Sequence, residues 1–309
     1  MLVQRAGLAP DERLAVRAVA TVLPFRANAY VIENLIDLDA APDDPIYRLV
    51  FPQPDMLPAA DVQRLADLIE TGAPDTELRA AAHEIRMRLN PHPAGQLLLN
   101  APSLHGRPLP GLQHKYPETV LFFPRQGQTC HAYCTYCFRW AQFVDEPDLK
   151  MATDDIDTLV AYLGEHPEVT SVLITGGDPM IMGEPVLRRY IEPLLDPRLD
   201  HLESIRIGTK SLSYWPQRYV TDPDADATLR LFGEVADSGR TVALMAHFSH
   251  PRELEPSVLA EAVRRIGSTG AVIRTQAPLI RSINDDPATW RAMWRTQVRQ
   301  GMIPYYMFV

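Results

Sequence analysis

From about residue 115 the hydrophobic positions fall into two alternating rhythms. Short runs rich in β-branched and aromatic residues occupy 118–124 (ETVLFFP), 170–176 (TSVLITG), 203–208 (ESIRIG), 241–248 (TVALMAHF), 271–276 (AVIRTQ) and 302–309 (MIPYYMFV), and each reads as a strand. Between them lie amphipathic stretches with helical spacing at 153–166, 184–195, 226–239, 255–267 and 287–301, several opening on an acidic residue and closing near glycine. Strand–helix alternation predicts a parallel sheet with right-handed crossovers. Six units predict an incomplete TIM-like (β/α)6 barrel, an α/β fold whose chemistry belongs at the carboxyl ends of its strands.

The first 110 residues follow another pattern. Helical periodicity appears in PAADVQRLADLIETG and DTELRAAAHEIRMRLN, separated by the proline-rich connectors APDDPIYRLVFPQPDMLP, NPHPAGQ and RPLPGL. This predicts a helical amino-terminal extension over 1–110 and a barrel over 111–309. No internal repeat interrupts either part.

Composition narrows the function. A net charge of −9 argues against a nucleic-acid partner, which needs a basic face. With 46% hydrophobic and 22% charged residues, no apolar run of membrane-helix length and no signal-peptide pattern at the amino terminus, the expectation is a soluble, cytoplasmic chain without a membrane partner. Small-molecule chemistry is the expected class.

All three cysteines fall in one short stretch, CHAYCTYC, with the spacing C-x3-C-x2-C. Cys130, Cys134 and Cys137 follow the first predicted strand. Three cysteines cannot close a disulfide framework, and three thiolates leave one position of a four-coordinate metal or cluster open. The residues alone also admit a zinc site completed by His131 or a distant histidine, or simply buried thiols. A second glycine-rich turn, ITGGDPM (174–180), ends the second strand, where adjacent glycines let backbone approach a ligand closely.

The cysteine motif after a first barrel strand, with Tyr136 before its last cysteine, resembles the radical S-adenosylmethionine enzymes. The resemblance sharpens to the lysine 2,3-aminomutase family through HKYPETVLFF, TYCFR, TGGDPM, IRIGTKSLSYWPQR, AHFSHPRE and RSINDD, which match its segments in order across 110–309. It implies that Cys130, Cys134 and Cys137 hold three irons of a [4Fe-4S] cluster, and that S-adenosyl-L-methionine on the fourth iron yields a 5′-deoxyadenosyl radical. Gly176, Gly177 and Asp178 become contacts of that nucleotide. Arg139 becomes the fork for the substrate carboxylate, and Asp285 the reader of a distal amine, with an N-cap for the helix DPATWRAMW as its other role. His247 and His250 at the end of the fourth strand, and Gln276 and Arg206, are expected at the same mouth.

The resemblance also implies pyridoxal phosphate (PLP), whose phosphate the family holds with arginines flanking its YP motif. The matching positions are Lys115 and Thr119, so one contact is lost, and Arg125 is the candidate to replace it. The family's PLP lysine lies past the sixth strand, beyond Val309. The expected activity is a radical isomerase moving an amine from C2 to C3 of a free amino acid. The alternatives are a PLP-independent radical enzyme (epimerase, dehydratase or deaminase) and a non-catalytic metal-binding module. The implied partners are an amino acid substrate, an electron donor such as flavodoxin or ferredoxin, and a second copy in a homo-oligomer.

Overall fold

A computed structural model describes residues 8–92, 95, 98–144 and 146–309, so the connector NPHPAGQ falls partly outside the described residues. The chain forms two compact units. One takes the chain up to Pro93 with Ala132–Leu149 and Ile280–Ile283, the other Ala94–His131, Lys150–Leu279 and Asn284–Val309. The sequence reading puts one division at residue 110; the contacts put it at 93 and return to the first unit for 132–149.

The first unit is helical. Helices α1 (Pro10–Val22), α2 (Ala29–Asn34), α3 (Pro45–Val50), α4 (Ala59–Glu70) and α5 (Asp75–Arg88) follow one another. Val19, Val22, Leu65, Ala81 and Ile85 from α1, α4 and α5 share one core. Helix α3 lies inside a stretch that reads as a proline-rich connector. Its Pro45 occupies the first turn, where a missing N–H costs nothing, and the Asp44 carboxylate caps it by accepting from Tyr47 N at 2.7 Å. The proline starts a helix here.

The second unit opens with a small hairpin, β1 (Ser103–Leu104) with β2 (Arg107–Pro108), followed by a seven-stranded sheet. Its strands are β3 (Leu112–Tyr116), β4 (Thr119–Phe122), β5 (Ser171–Ile174), β6 (Ser204–Thr209), β7 (Thr241–His247), β8 (Val272–Pro278) and β9 (Ile303–Phe308). They lie side by side in that order, leaving β3 and β9 as the edges. Strands β4 to β9 are parallel and are the six expected; β3 adds an antiparallel edge. Helices α6 (Ile156–Glu165), α7 (Glu184–Ile191), α8 (Ser211–Tyr214), α9 (Ala225–Asp237), α10 (Ser257–Gly267) and α11 (Pro287–Arg299) fill the connections, giving the incomplete (β/α)6 barrel.

Alternation explains the two sheet faces. In β6, Ile205 and Ile207 are buried in the core with Leu231 and Phe232 of α9, while Ser204, Arg206 and Gly208 point to the opposite face. Helix α10 presents Leu259, Ala262, Val263 and Ile266 at helical spacing to the same core. Polar chemistry is thereby confined to the inner face and the strand ends. No helix among the described residues is long and apolar enough to cross a membrane.

Candidate functional site

The loop after β4 is built by two local devices. Gly127 N closes a turn on Pro124 O at 3.1 Å, and Asp178 N, arriving from the turn after β5, donates to Gly127 O at 3.1 Å and Thr129 O at 2.6 Å. A methyl group on Gly177 would stand 2.3 Å from Thr129 O, so only glycine lets the two loops meet. Gly176, at φ 138°, likewise leaves room for the Gln128 side chain. The glycine-rich turn is thus seated on the residue that precedes Cys130.

Asp178 is 2% exposed and spends its carboxylate inside the fold. One oxygen accepts from Met180 N at 3.0 Å and Thr209 Oγ1 at 2.6 Å, the other from Lys210 N at 2.8 Å. These bonds tie the turn after β5 to the end of β6. Asp178 therefore positions Gly176 and Gly177 rather than offering its oxygens outward.

Cys134 and Cys137 belong to the first unit, on successive turns closed by Cys137 N to Cys134 O at 3.1 Å and Trp140 N to Cys137 O at 3.2 Å. Backbone bonds from Tyr133 N to Arg26 O (2.9 Å) and Thr135 N to Leu49 O (2.8 Å) fix the segment. Both cysteines line a cavity of about 310 Å³ with Leu23, Val50, Met56 and Trp140. None of the three cysteines forms a disulfide. Burial, with help from the neighbouring Cys134, pushes the Cys137 thiol up to about 12, while Arg139 pulls the other way. A thiolate there needs a cationic partner such as an iron cluster supplies, so the fit to a cluster is one of donor type, soft sulfur, and not of a preformed ligand geometry. Among the described residues, no group of three or more His, Cys, Asp or Glu side chains is arranged to hold a metal ion.

Arg139 sits two residues past Cys137, at the start of the short turn Trp140–Gln142, with its guanidinium 5.1 Å from the Phe138 ring centroid. Burial brings it down to about 10, still cationic at neutral pH.

His247 and Gln276 come together at the carboxyl ends of β7 and β8. They are paired across the sheet, with Gln276 Nε2 donating to His247 Nε2 at 2.6 Å. Burial, then the nearby Lys210, lower His247 to about 3, so the imidazole is a neutral acceptor. Arg206 does not join them. It lies in the amino-terminal half of β6, and its Nη2 donates to Thr119 Oγ1 at 3.0 Å. Arg125 is equally displaced, past the carboxyl end of β4 and 3.4 Å from Asp154, so it cannot stand in for a group at Thr119. Lys115 is exposed on β3, with its ammonium 5.6 Å from the Tyr116 ring centroid.

Asp285 is exposed, and the helix cap is its neighbour: Asp286 accepts from Thr289 N at 2.9 Å. Asn284 holds the turn by donating to Ser249 O and Pro278 O, while its own carbonyl accepts from Trp290 Nε1.

One buried group escaped the sequence reading. Glu253, fully buried, accepts from Lys210 Nζ (2.5 Å) and Ser213 Oγ (2.5 Å) on one oxygen and from Ser249 N and His250 N on the other. It clamps the loops after β6 and β7. The signal was a lysine directly after the end of β6 and a glutamate six residues after the end of β7, in IGTKS and HPRE.

The chain is 30% identical over 298 residues to a protein of Aquifex aeolicus (strain VF5) named "Putative L-lysine 2,3-aminomutase", covering 96% of this chain and 67% of that one. The chain belongs to the lysine 2,3-aminomutase family of radical S-adenosylmethionine enzymes. Family similarity extends to the L-lysine 2,3-aminomutases of Clostridium subterminale (29% over 244 residues, 78% of this chain and 54% of that one) and Bacillus subtilis (strain 168) (32% over 202 residues, 65% and 40%). Against those two relatives the chain spans only about half their length or less. No protein-family model matches the sequence. Among solved structures, a radical SAM methyltransferase from Sphaerobacter thermophilus aligns with a TM-score of 0.42 at 17% identity, over 63% of this chain and 57% of that one.

Proposed function

We propose that this member of the lysine 2,3-aminomutase family moves an amino group from C2 to C3 of a free amino acid by radical chemistry. The observation that carries the reading is the seating of the Gly176–Gly177 turn on Thr129, immediately before the first of three cysteines in C-x3-C-x2-C spacing.

Cys130, Cys134 and Cys137 would hold a [4Fe-4S] cluster, which with S-adenosylmethionine supplies a hydrogen-abstracting 5′-deoxyadenosyl radical. PLP would supply electron delocalisation to the substrate amine. The chain's own residues supply orientation and exclusion. Arg139 presents two parallel N–H groups to the substrate carboxylate, fixing which hydrogens face the radical source. Gly177 brings backbone close to the cluster loop, and Asp178 and Glu253 hold the surrounding loops so that this geometry is set before substrate arrives. The neutral His247–Gln276 pair offers polar contacts without adding charge.

The test is anaerobic reconstitution followed by turnover. Protein reconstituted with iron and sulfide should carry about one cluster per chain, and each of Cys130→Ala, Cys134→Ala and Cys137→Ala should lose it. With dithionite, S-adenosylmethionine, PLP and a panel of amino acids, 5′-deoxyadenosine release should accompany a 3-amino product seen by mass spectrometry. Stoichiometric zinc without iron, or 5′-deoxyadenosine with no 3-amino product from any amino acid, overturns the proposal.

A further inference from the structure

Arg218 stands in the short turn Pro216–Tyr219, between α8 and α9, and is 3% exposed. Each N–H of a guanidinium buried this deeply needs an acceptor inside the fold. Part of the need is met by the Asp224 carboxylate, which accepts from Nη1 at 2.7 Å and Nη2 at 3.1 Å, and by Thr228 Oγ1 at 2.9 Å from Nη2. The other contacts run to backbone. Nε donates to Met180 O at 3.0 Å, and Nη2 to Met182 O at 3.1 Å.

Those two carbonyls belong to the residues that leave the Gly176–Gly177 turn. Gly176, at φ 138°, takes a backbone conformation open mainly to glycine, and a glycine pair has little steric preference of its own. The turn is therefore fixed by its flanks. Asp178 ties the near side to Gly127 and Thr129 through its N–H, and its carboxylate accepts from Met180 N. Arg218 takes the Met180 carbonyl from the other direction, so Met180 is held at both its N–H and its C=O. The same segment reaches the cysteine loop. Trp215, the residue before the Arg218 turn, has its ring 16° from parallel to that of His131, with centroids 6.5 Å apart, and His131 adjoins Cys130.

We infer that Arg218 is a positioning residue for S-adenosylmethionine, acting through the Met180 and Met182 carbonyls to hold the Gly176–Gly177 turn in the form that receives the nucleotide. A planar fork can span two carbonyls while facing a carboxylate; an ammonium has the charge for Asp224 but not the reach for both carbonyls. This role rests on the radical S-adenosylmethionine reading; the hold of Arg218 on the turn does not.

The test uses the full chain reconstituted anaerobically with iron and sulfide, with S-adenosylmethionine titrated by calorimetry. Arg218→Lys keeps a cation opposite Asp224 and gives up the fork, so iron content should hold while the nucleotide binds at least about tenfold more weakly. The change that S-adenosylmethionine makes in the electron paramagnetic resonance of the reduced cluster should need correspondingly more nucleotide. Backbone amides of 176–182 should exchange with deuterium faster in the variant, while those of β7 and β8 stay as they are. Leu163→Ala, a core truncation on α6 outside this hydrogen-bond set, should lower stability and leave nucleotide affinity unchanged. Should Arg218→Lys fail to fold, Thr228→Val removes only the hydroxyl acceptor behind Nη2 and should weaken the nucleotide a few-fold. Unchanged affinity in these folded arginine or threonine variants, or an equal loss in Leu163→Ala, overturns the inference and leaves the radical reading standing. An unaltered chain that carries the cluster and binds no S-adenosylmethionine overturns both.

Discussion

Thr209 Oγ1 donates to Asp178 at 2.6 Å, so a carboxylate in the turn after β5 holds the last residue of β6. With Lys210 N on its other oxygen and Met180 N beside it, this aspartate fixes where the paired glycines stand.

Replacing Asp178 with asparagine keeps the shape but puts an N–H₂ where one of these donors must be accepted. A buried donor left unmet costs about 1–3 kcal/mol. Asp178→Asn should therefore lower the melting temperature by several degrees and weaken S-adenosylmethionine binding only as the glycine turn loosens. Thermal unfolding and nucleotide titration check both. Undiminished thermal stability with abolished nucleotide binding would instead make Asp178 a direct cofactor contact.

His247 gives the fold a pH dependence whose sign follows from its lowered pKa. Unfolded, the imidazole protonates near its ordinary 6.5; folded, it stays neutral down to about 3. Below 6.5 the unfolded chain thus binds a proton that the native one refuses, and stability falls as pH drops through this window. The loss is bounded by about 1.4 kcal/mol per pH unit, less whatever partial exposure of the ring screens. His247→Gln should flatten the difference between denaturant unfolding curves at pH 7 and pH 5. The same pH slope in both proteins would show that His247 is protonated in the native state.

How legible was all this in the sequence? The six parallel strands were, because runs such as TVALMAHF are continuous and β-rich where both faces are covered. Strand β3 was not: LQHKY is polar and half exposed, as an edge strand can be. Helix α3 was hidden because Pro45 marks a break until Asp44 is seen capping it. For the site, residues next to a motif were legible and residues placed by strand register were not. Arg206 and Gln276 both look like polar residues on inner faces, but Arg206 is the third of the six residues of β6, toward its amino end, whereas Gln276 pairs with His247, the last residue of β7. Alternation tells which face a side chain takes; only the position along the strand tells which end.

Arg139 makes a prediction about coupling. Its guanidinium can hold both oxygens of a carboxylate, which one ammonium cannot reproduce. Arg139→Lys should retain iron and still cleave S-adenosylmethionine, but a larger share of 5′-deoxyadenosine should form without product. Productive turnover should fall at least about tenfold, or ~1.4 kcal/mol. The ratio of 3-amino product to 5′-deoxyadenosine is the readout, and an unaltered ratio removes Arg139 from the substrate site.

Asp285 and Asp286 are neighbours with separable roles. Asp286 caps α11 through Thr289 N, so Asp286→Ala should cost about 0.5–2 kcal/mol of stability. Asp285 is exposed beside it and has no part in that cap, so Asp285→Asn should leave the unfolding midpoint where it is. If Asp285 reads a distal ammonium, the same change removes a charge-assisted contact worth ~1.5–3 kcal/mol and shifts preference from lysine or ornithine toward neutral amino acids of similar length by roughly tenfold or more. Competition between lysine and norleucine in one reaction, with products resolved by mass, measures the shift free of differences in enzyme concentration. Unmoved product ratios together with an unmoved midpoint would leave Asp285 an ordinary solvated aspartate, and would place the selection of the side chain elsewhere in the family site.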